Sequence, residues 1–483
     1  MMKFGHRTII NGFGLIMLIS CIQLALITLR DQPPKEDLSQ RQIQADLAFL
    51  LQQVSDNSAY AALYPERLAR VTQRVEQQLN SPYLSIKRSE FAAQLLKVLA
   101  PLDDTSSMVS DVEVEFTLPI KLQREEDEWL AFNNQDTPLE EDYPFLTHID
   151  GIPMPKWVEA SQMFLAPSLQ AISTQQSNKL HLLSLLRQEI GIERQDSVRL
   201  TLSDGEHTQQ LTLALTTASL KPTKATKATK ATKANFNNSV EGIFSFNDLE
   251  KFKLGSRLEQ SLKKAIFSPV TILDLRHAYG RGDQLLTWLA QYYTNPTESA
   301  KADFPLPDIY AIGLYRRAPK MRNDYLKPLL FTPYHQLSPQ AQQQVDEAIQ
   351  QIDTPFDERF SSWHARQPQS QHRRLTPPQT PGKLVLLIGP ECRQQCQWLV
   401  HFAKQWHNTL LIGEPTLGNY DKHHQFTLPK SKISVRVTNS MIYDMQANRL
   451  SGVATEPDIF QPVDQDFYWQ QVLDLVDNQQ TEL

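Results

Sequence analysis

The segment 392–396, with the sequence Cys-Arg-Gln-Gln-Cys, lies between an apolar run at residues 384–389 and a helical pattern at residues 397–405. A buried strand that turns tightly into a helix exposes the side chain at the turn, and the first N–H groups of the helix can stabilise an oxyanion. Many hydrolases carry their nucleophile on such a turn. Here Gln394 and Gln395 occupy the exposed positions, and an amide cannot attack a carbonyl carbon as a serine alkoxide does. The pattern therefore predicts an acyl-transfer site that lacks its nucleophile.

Two of the three cysteines, Cys392 and Cys396, are four residues apart. One helical turn brings two Cα atoms near the usual disulfide separation, so we predict a disulfide between them in an oxidising compartment. Zinc is the alternative, but no third or fourth ligand has metal-site spacing nearby, and the adjacent His423 and His424 point apart. We therefore expect a disulfide, with no metal and no cofactor.

Length and charge narrow the functional classes. The chain has 483 residues, which is enough for two or three domains with separate cores. Its 54 acidic and 48 basic side chains give a net charge of −6 and are mixed along the sequence. Phosphate binding needs a basic patch or stripe, so this balance argues against nucleic acid as a partner.

The N-terminus carries a membrane signal. Residues 8–29 contain no charged side chain and are long enough to span a bilayer. Lys3 and Arg7 precede them, so the positive-inside rule places the N-terminus in the cytoplasm. No small-residue cleavage site follows, which predicts a single-pass anchor in the cytoplasmic (inner) membrane with the bulk of the chain in the periplasm or exterior. A lipoprotein cleavage box ending at Cys21 is the alternative, although the residues after it remain apolar.

Changes of pattern divide the chain into six segments. Helical periodicity, strand alternation and a repeated Lys-Ala-Thr tract follow one another, and then buried strands alternate with helices. The last pattern predicts an α/β domain with a mainly parallel, covered sheet. The predicted segments are a cytoplasmic N-terminus and transmembrane anchor at 1–30, a stem at 31–42, a helical domain at 43–105, a strand region at 106–216, a low-complexity linker at 217–242 and the α/β domain at 243–478.

Six short motifs occur in a defined order along the chain. They are Leu-Asp-Asp-Thr at 102–105, His-Ile-Asp-Gly-Ile-Pro at 148–153, Leu-Asp-Leu-Arg at 273–276, Leu-Ile-Gly-Glu-Pro-Thr-Leu-Gly at 411–418, Phe-Thr-Leu-Pro at 426–429 and Thr-Glu-Pro-Asp-Ile at 455–459. In this order they resemble the tail-specific (C-terminal processing) protease family of serine peptidases. The resemblance implies a protease-like α/β core, preceded by a small helical domain and by a reduced PDZ-like module within the strand region.

The chain departs from this family at the positions that carry its chemistry. The resemblance places the serine nucleophile at Gln394, the lysine base at Asn419 and a histidine at Thr105. A glycine pair in the family is expected to supply an N–H group to the oxyanion hole; here Gly280 remains and Arg281 replaces its neighbour. Four substitutions at one site imply that catalysis is lost.

Three functional hypotheses follow. The first is a membrane-anchored pseudopeptidase that binds peptide or protein segments, with Gly280, Gln394 and Gln395 contributing an oxyanion or peptide-binding site. The second is an active peptidase with a displaced nucleophile. Its candidates are Ser106, Ser107, Thr416, Ser440, and a free Cys392 paired with His423. The third is an unrelated envelope protein with a similar α/β pattern.

Overall fold

The computed structural model describes most of the chain between Glu36 and Gln461. The described residues are 36–80, 85–112, 116–125, 127–133, 137–193, 195–217, 243–280, 283–294, 306–317, 326–353, 356–368 and 380–461. The predicted anchor at residues 8–29 and the Lys-Ala-Thr tract lie outside them. Within these ranges, no helix is both long and apolar enough to cross a bilayer.

A five-stranded parallel sheet forms the centre of the C-terminal half. Its strands, in spatial order, are Ile243–Ser245, Val270–Asp274, Lys383–Ile388, Thr409–Gly413 and Ile459–Phe460. The central strand is buried on both faces, because its successive side chains alternate between two hydrophobic clusters. Three helices pack beside the sheet: Arg257–Ala265, Gln284–Tyr293 and Gln395–Ala403. The predicted parallel sheet is confirmed.

Two further sheets in this half are antiparallel. One has the order Phe331–Pro333, His364–Arg366, Ala311–Tyr315 and Ser440–Tyr443, and the helix Pro339–Ile349 lies between its strands in sequence. The other has the order His423–Thr427, Ser434–Thr438 and Met108–Val109. The predicted mainly parallel sheet therefore does not include every strand of the α/β domain, because Ala311–Tyr315 and Ser434–Thr438 pair antiparallel. A continuous apolar run indicates burial on both faces but not the direction of a strand.

The N-terminal part is helical. Its helices are Gln40–Asn57, Ala59–Leu63, Pro65–Leu79 and Arg88–Leu99, with a small antiparallel pair formed by Asp37–Ser39 and Ser85–Lys87. The first helix packs against the three-stranded sheet, so Leu47 and Val54 share one hydrophobic cluster with Val435 and Val437. Asp46 adds a polar link: its fully buried carboxylate accepts hydrogen bonds from backbone N–H groups at 430 (2.8 Å) and 431 (2.7 Å). The helices thus share a core with the C-terminal half.

The intervening region encloses a hydrophobic cluster to which its own strands and helices contribute. Its six-stranded antiparallel sheet has the order Thr208–Ala214, Ser197–Ser203, Phe145–Ile149, Glu128–Phe132 and Lys121–Glu125, with Ile152–Pro153 paired to Phe145–Ile149. Its helices are Met154–Gln162, Ser173–Leu180 and Leu183–Ile190, and a separate pair is formed by Phe116–Thr117 and Thr216–Thr217. One of these helices ends at Leu180 and the next begins at Leu183, so the leucine-rich stretch 180–186 joins two helices.

We expect Asp46→Ala to lower the free energy of unfolding by about 2–4 kcal/mol, because two buried N–H groups lose a charged acceptor. Urea unfolding of the full-length protein measures this change. The matched control is Asp127→Ala, whose side chain is 99% exposed, and its effect should stay within about 0.5 kcal/mol. A loss for Asp46→Ala no larger than that of the control would contradict the structural role of this carboxylate.

Candidate active site

The turn between the central strand Lys383–Ile388 and the helix Gln395–Ala403 holds Gln394 in an unusual backbone conformation. Gln394 has φ 55° and ψ −113°. A non-glycine residue at positive φ costs about 1–3 kcal/mol and persists only where its surroundings impose it. A strained strand-to-helix turn is the geometry on which hydrolases expose a nucleophile. The backbone therefore has the shape of such a turn, while the side chain is an amide.

A disulfide and one amide side chain fix this turn. Cys392 and Cys396 are joined, with an S–S distance of 2.09 Å and a Cα–Cα distance of 5.3 Å, as the sequence predicts. Gln397 is fully buried, and its Nε2 donates to the carbonyl oxygen of Cys392 at 2.6 Å. The bridge leaves no thiol at Cys392, so the hypothesis of a Cys392 nucleophile paired with His423 is wrong for this structure.

The N–H groups next to the nucleophile position already have acceptors within the protein. The N–H of Gln395 donates to the carbonyl oxygen of Gly280 at 3.1 Å, and the N–H of Gln394 donates to the carbonyl oxygen of Asn419 at 3.1 Å. An oxyanion hole requires donors that are open to the developing charge. The expectation that the N–H groups near Gln394 form an open oxyanion site is therefore wrong in this arrangement.

Gly280 closes the site through a conformation that favours glycine. Its φ is +136°, and an added Cβ would lie 3.2 Å from the backbone nitrogens of Leu249 and Glu250. The carbonyl of Gly280, rather than its N–H, faces the helix N-terminus at Gln395. Arg281 lies outside the described residues. Gly280 is thus near the site, as predicted, but it acts there as an acceptor.

The segment 417–419 brings the substituted family positions together. Thr105 donates from Oγ1 to the carbonyl oxygen of Leu417 at 3.0 Å. Two residues later, the carbonyl oxygen of Asn419 accepts the N–H of Gln394. Thr105, Gln394 and Asn419 therefore meet around one turn, although the sequence separates them by up to 314 positions.

His423 completes the polar side of this turn. Its ring nitrogen Nε2 lies 3.0 Å from Oδ1 of Asn419, so Nε2–H donates to that oxygen. Burial, together with the positive charges of Arg436, Lys422 and Arg393, lowers the pKa of His423 to about 3. An imidazole with so low a pKa is neutral at pH 7 and a weak general base. The histidine therefore orients Asn419 rather than accepting a proton.

Gln395 has a structural role that the sequence does not reveal. Its side chain is 2% exposed, and Oε1 accepts from Nη2 of Arg366 at 2.8 Å. Arg366 is also buried and donates to Tyr310 Oη and to the carbonyl oxygen of Leu329. The prediction that the Gln395 side chain contacts a bound peptide is wrong, because this amide faces the core. Gln394 remains as the half-buried amide at the turn.

A buried carboxylate supports Thr105. Asp104 accepts from the N–H (2.6 Å) and Oγ1 (2.7 Å) of Thr438 and from the N–H of Ser106 (3.1 Å). Burial raises the pKa of Asp104, and the hydrogen bonds from Thr438 oppose that shift. The turn before Thr105 is therefore attached to the three-stranded sheet.

A second buried carboxylate lies beyond Asn419. Asp421 accepts from Oγ of Ser451 at 2.5 Å and from Oγ of Ser440 at 3.3 Å. Burial raises the pKa of Asp421 well above its ordinary value, and the negative charge of Asp104 adds to the shift. No motif or spacing identifies either acid, because their roles depend on contacts between distant segments.

The other hydroxyl candidates are structural. Ser440 and Thr416 are fully buried, and Ser106 is 5% exposed. Ser440 donates to Asp421, and Oγ1 of Thr416 accepts the N–H of Thr455 at 2.9 Å. Ser107 is half-buried, and no hydrogen bond joins its hydroxyl to a basic side chain in the part of the chain that the structure describes. That part also holds no group of three or more His, Cys, Asp or Glu side chains arranged for a metal ion.

Comparisons with known proteins bear on the fold. The sequence matches no family model and no curated protein. The structure of mature CPAF aligns with a TM-score of 0.54 at 14% identity, over 91% of this chain and 96% of that chain. Mature CPAF complexed with lactacystin aligns with a TM-score of 0.52 at 13% identity, over 91% and 97% of the two chains. The photosystem II D1 C-terminal processing protease aligns over 87% and 93% at 12% identity, but its TM-score is 0.30.

The chain has a tail-specific protease fold, as the order of its motifs predicts. Similarity at 13–14% identity establishes the fold alone. Activity depends on particular side chains and not on the fold that carries them. The function therefore has to be argued from the residues around Gln394.

The raised pKa of Asp421 predicts a pH dependence of stability. The folded state retains a proton that the unfolded state releases above about pH 4. The stability that this carboxyl contributes is therefore complete below that pH and is lost as the pH rises towards its folded pKa. In Asp421→Asn, which cannot ionise, we expect the free energy of unfolding to decline less above pH 4.

Urea unfolding at several pH values measures this slope. Asp204→Asn is the opposite control, because backbone N–H groups of His207 and Glu206 lower the pKa of Asp204 on an exposed turn. The stability that a lowered pKa contributes is complete above the unfolded pKa and is lost as the pH falls below about 4, so removing that carboxylate should leave the decline above pH 4 unchanged. An unchanged slope in Asp421→Asn would contradict the prediction.

Proposed function

We propose that this protein is a membrane-anchored pseudopeptidase of the tail-specific protease type, which binds peptide segments without hydrolysing them. The single observation that carries the proposal is the turn at Gln394, where the strained backbone of a nucleophile position bears an amide. Acyl transfer needs an ionisable nucleophile, a proton acceptor and an open oxyanion site within reach of one another. The amide side chain of Gln394 is not an ionisable nucleophile.

The second and third requirements are unmet as well. Asn419 stands where the resemblance places a lysine base, and an amide accepts no proton at neutral pH. The N–H of Gln395 is bonded to the carbonyl of Gly280, which a substrate carbonyl would have to displace. These are three independent obstacles, so we expect no single substitution to give this chain peptidase turnover.

The active-peptidase alternative has little support in the described residues. Its buried candidates, Ser106, Thr416 and Ser440, would need a path to the surface before they could meet a peptide. The bridged Cys392 has no thiolate. Peptide binding is compatible with the loss of these groups, because the contacts that position a segment are separate from the attacking atom.

We assign residues 43–105 and 106–216 to the helical domain and the reduced PDZ-like module of the fold. The region 116–217 supports the second assignment because its strands and helices supply most of one hydrophobic cluster, including the buried Trp129 and Trp157. The proposed location, outside the inner membrane behind a single anchor, rests on the apolar N-terminal run and on the charges before it.

We expect no peptidase turnover above background from the full-length protein in detergent, with casein and peptides of varied C-termini as substrates. Nucleophile removal typically lowers the rate by about 10⁶-fold. Gln394→Ser should remain inactive and should not be labelled by a fluorophosphonate probe. Asn419 is not a base, and the N–H of Gln395 still donates to the carbonyl oxygen of Gly280. Gln394→Ala is the matched control. Hydrolysis by the wild type that survives Gln394→Ala would reveal another nucleophile and overturn the proposal.

We expect deletion of residues 1–30 to release the protein from the membrane fraction, because the anchor is assigned to residues 8–29. In spheroplasts of the intact strain, added protease should digest the C-terminal part while a cytoplasmic marker stays intact. Cys21→Ser separates anchor from lipoprotein processing: an anchored protein keeps its size and membrane location. Full protection of the C-terminal part, beside cleavage of an outward-facing control, would contradict the topology.

A further inference from the structure

Exposed hydrophobic side chains lie near the nucleophile position. Five large hydrophobic side chains are exposed among the described residues: Met108, Leu254, Tyr279, Val453 and Phe460. Three of them border the site. Tyr279 precedes Gly280, Met108 contacts Arg436, and Val453 lies against Gly418, where an added Cβ would overlap the Val453 backbone. Exposed apolar side chains beside a candidate site are a feature of surfaces that bind another molecule.

Two arginines lie near the turn at Gln394. Arg393 immediately precedes Gln394, and its N–H donates to the carbonyl oxygen of Ala278, beside Tyr279. Arg436 lies on the strand Ser434–Thr438 opposite Met108, and its Nη2 donates to the carbonyl oxygen of Ser106 at 3.3 Å. We call Met108, Tyr279, Arg393 and Arg436 the rim of the site.

The two guanidinium groups are close enough to affect the same neighbours. Burial lowers the pKa of Arg436, and the positive charge of Arg393 lowers it further; both arginines also lower the pKa of His423. Asp104 and Glu391 partly offset this charge at Arg436. The local field is thus positive on a chain whose net charge is −6. An anion at this position would relieve the repulsion between two like charges.

Arg393 retains capacity for such an anion, and Arg436 contributes its positive charge. Nε of Arg436 makes no hydrogen bond within the described residues, but it is fully buried, so an anion meets this side chain through its Nη atoms. Arg393 pairs with Glu391 through a contact at the surface, where side chains are 36% and 55% exposed, and surface pairs of this kind contribute little. A guanidinium group prefers a planar carboxylate, to which it donates two parallel hydrogen bonds.

We propose that the rim selects an extended peptide segment in which an acidic side chain lies between Arg393 and Arg436, with a neighbouring apolar side chain against Met108 and Tyr279. The inference rests on the proposed peptide-binding function and names the class of segment that it takes. Charge complementarity fixes the acidic position, and the exposed apolar surface fixes its neighbour. The closed oxyanion donor at Gln395 plays no part in this recognition.

Fluorescence anisotropy with the full-length protein in detergent tests the proposal. The probe is a labelled decapeptide with two Glu residues among Leu and Tyr, blocked at its C-terminus as the amide. Its partner has Gln in place of both Glu. We expect the Glu peptide to bind at least about tenfold more tightly at 50 mM salt, since a charge-assisted hydrogen bond contributes about 1.5–3 kcal/mol. The ratio of the affinities for the Glu and Gln peptides should fall at 500 mM salt, because salt screens the charge.

Arg393→Gln and Arg436→Gln should each bring the ratio towards one, and their thermal unfolding midpoints verify that they fold. Arg393→Gln is the milder change, because that side chain is partly exposed. Lys263→Gln is the matched control: it removes the same charge from an exposed position on the helix Arg257–Ala265 and should leave the ratio unchanged.

Each outcome decides a separate point. Equal binding of the Glu and Gln peptides, or a ratio insensitive to both arginines, overturns the acidic preference and leaves the pseudopeptidase proposal intact. Preferential binding of a third probe, the Gln peptide with a free C-terminal carboxylate, overturns the side-chain assignment in favour of a chain terminus. Cleavage of any probe, detected by mass spectrometry, instead overturns the proposed absence of catalysis.

Discussion

The positive-φ backbone of Gln394 is the constraint on which the rest of the site depends. A non-glycine residue keeps such a conformation only when contacts on both sides determine it. Before the turn, the strand Lys383–Ile388 is held between two other parallel strands. After it, the Cys392–Cys396 bridge, the Gln397 amide and the Arg366–Gln395 pair fix the first turn of the helix. None of these contacts requires a reacting side chain at 394.

Under the proposed loss of activity, this independence explains why the backbone of the turn keeps its geometry. The energy that maintains the turn comes from folding interactions in the sheet and core, and catalysis contributes nothing to it. Replacing a nucleophile by an amide therefore removes activity without relaxing the geometry. The hydrogen bond from the Gln395 N–H to the Gly280 carbonyl also opposes catalysis, because it uses a donor that an active enzyme keeps available for the transition state.

The sequence predicts the local parts of this site and misses the nonlocal ones. The strand, the turn and the bridge follow from a short apolar run and from two cysteines one helical turn apart, all within 14 residues of one another. The antiparallel pairing of Ala311–Tyr315 does not follow, since burial carries no information about direction. The sequence also does not predict the orientation of the Gly280 carbonyl, because glycine adopts many backbone conformations at similar energy. Arg366 belongs to no motif that the sequence singles out, yet it is buried and donates to the side chain of Gln395.

Three features support the proposal that this site is inactive, and they lie on different elements. The turn at 394 bears an amide, residue 419 is an asparagine, and the N–H of Gln395 is bonded to the carbonyl of Gly280. Groups that act as a unit in catalysis are strongly non-additive, so restoring one of them gains almost nothing while the others are absent. Binding has no such requirement: each contact on the rim adds its own free energy. Under the proposal, such a surface can therefore still bind a peptide, although no single substitution restores its cleavage.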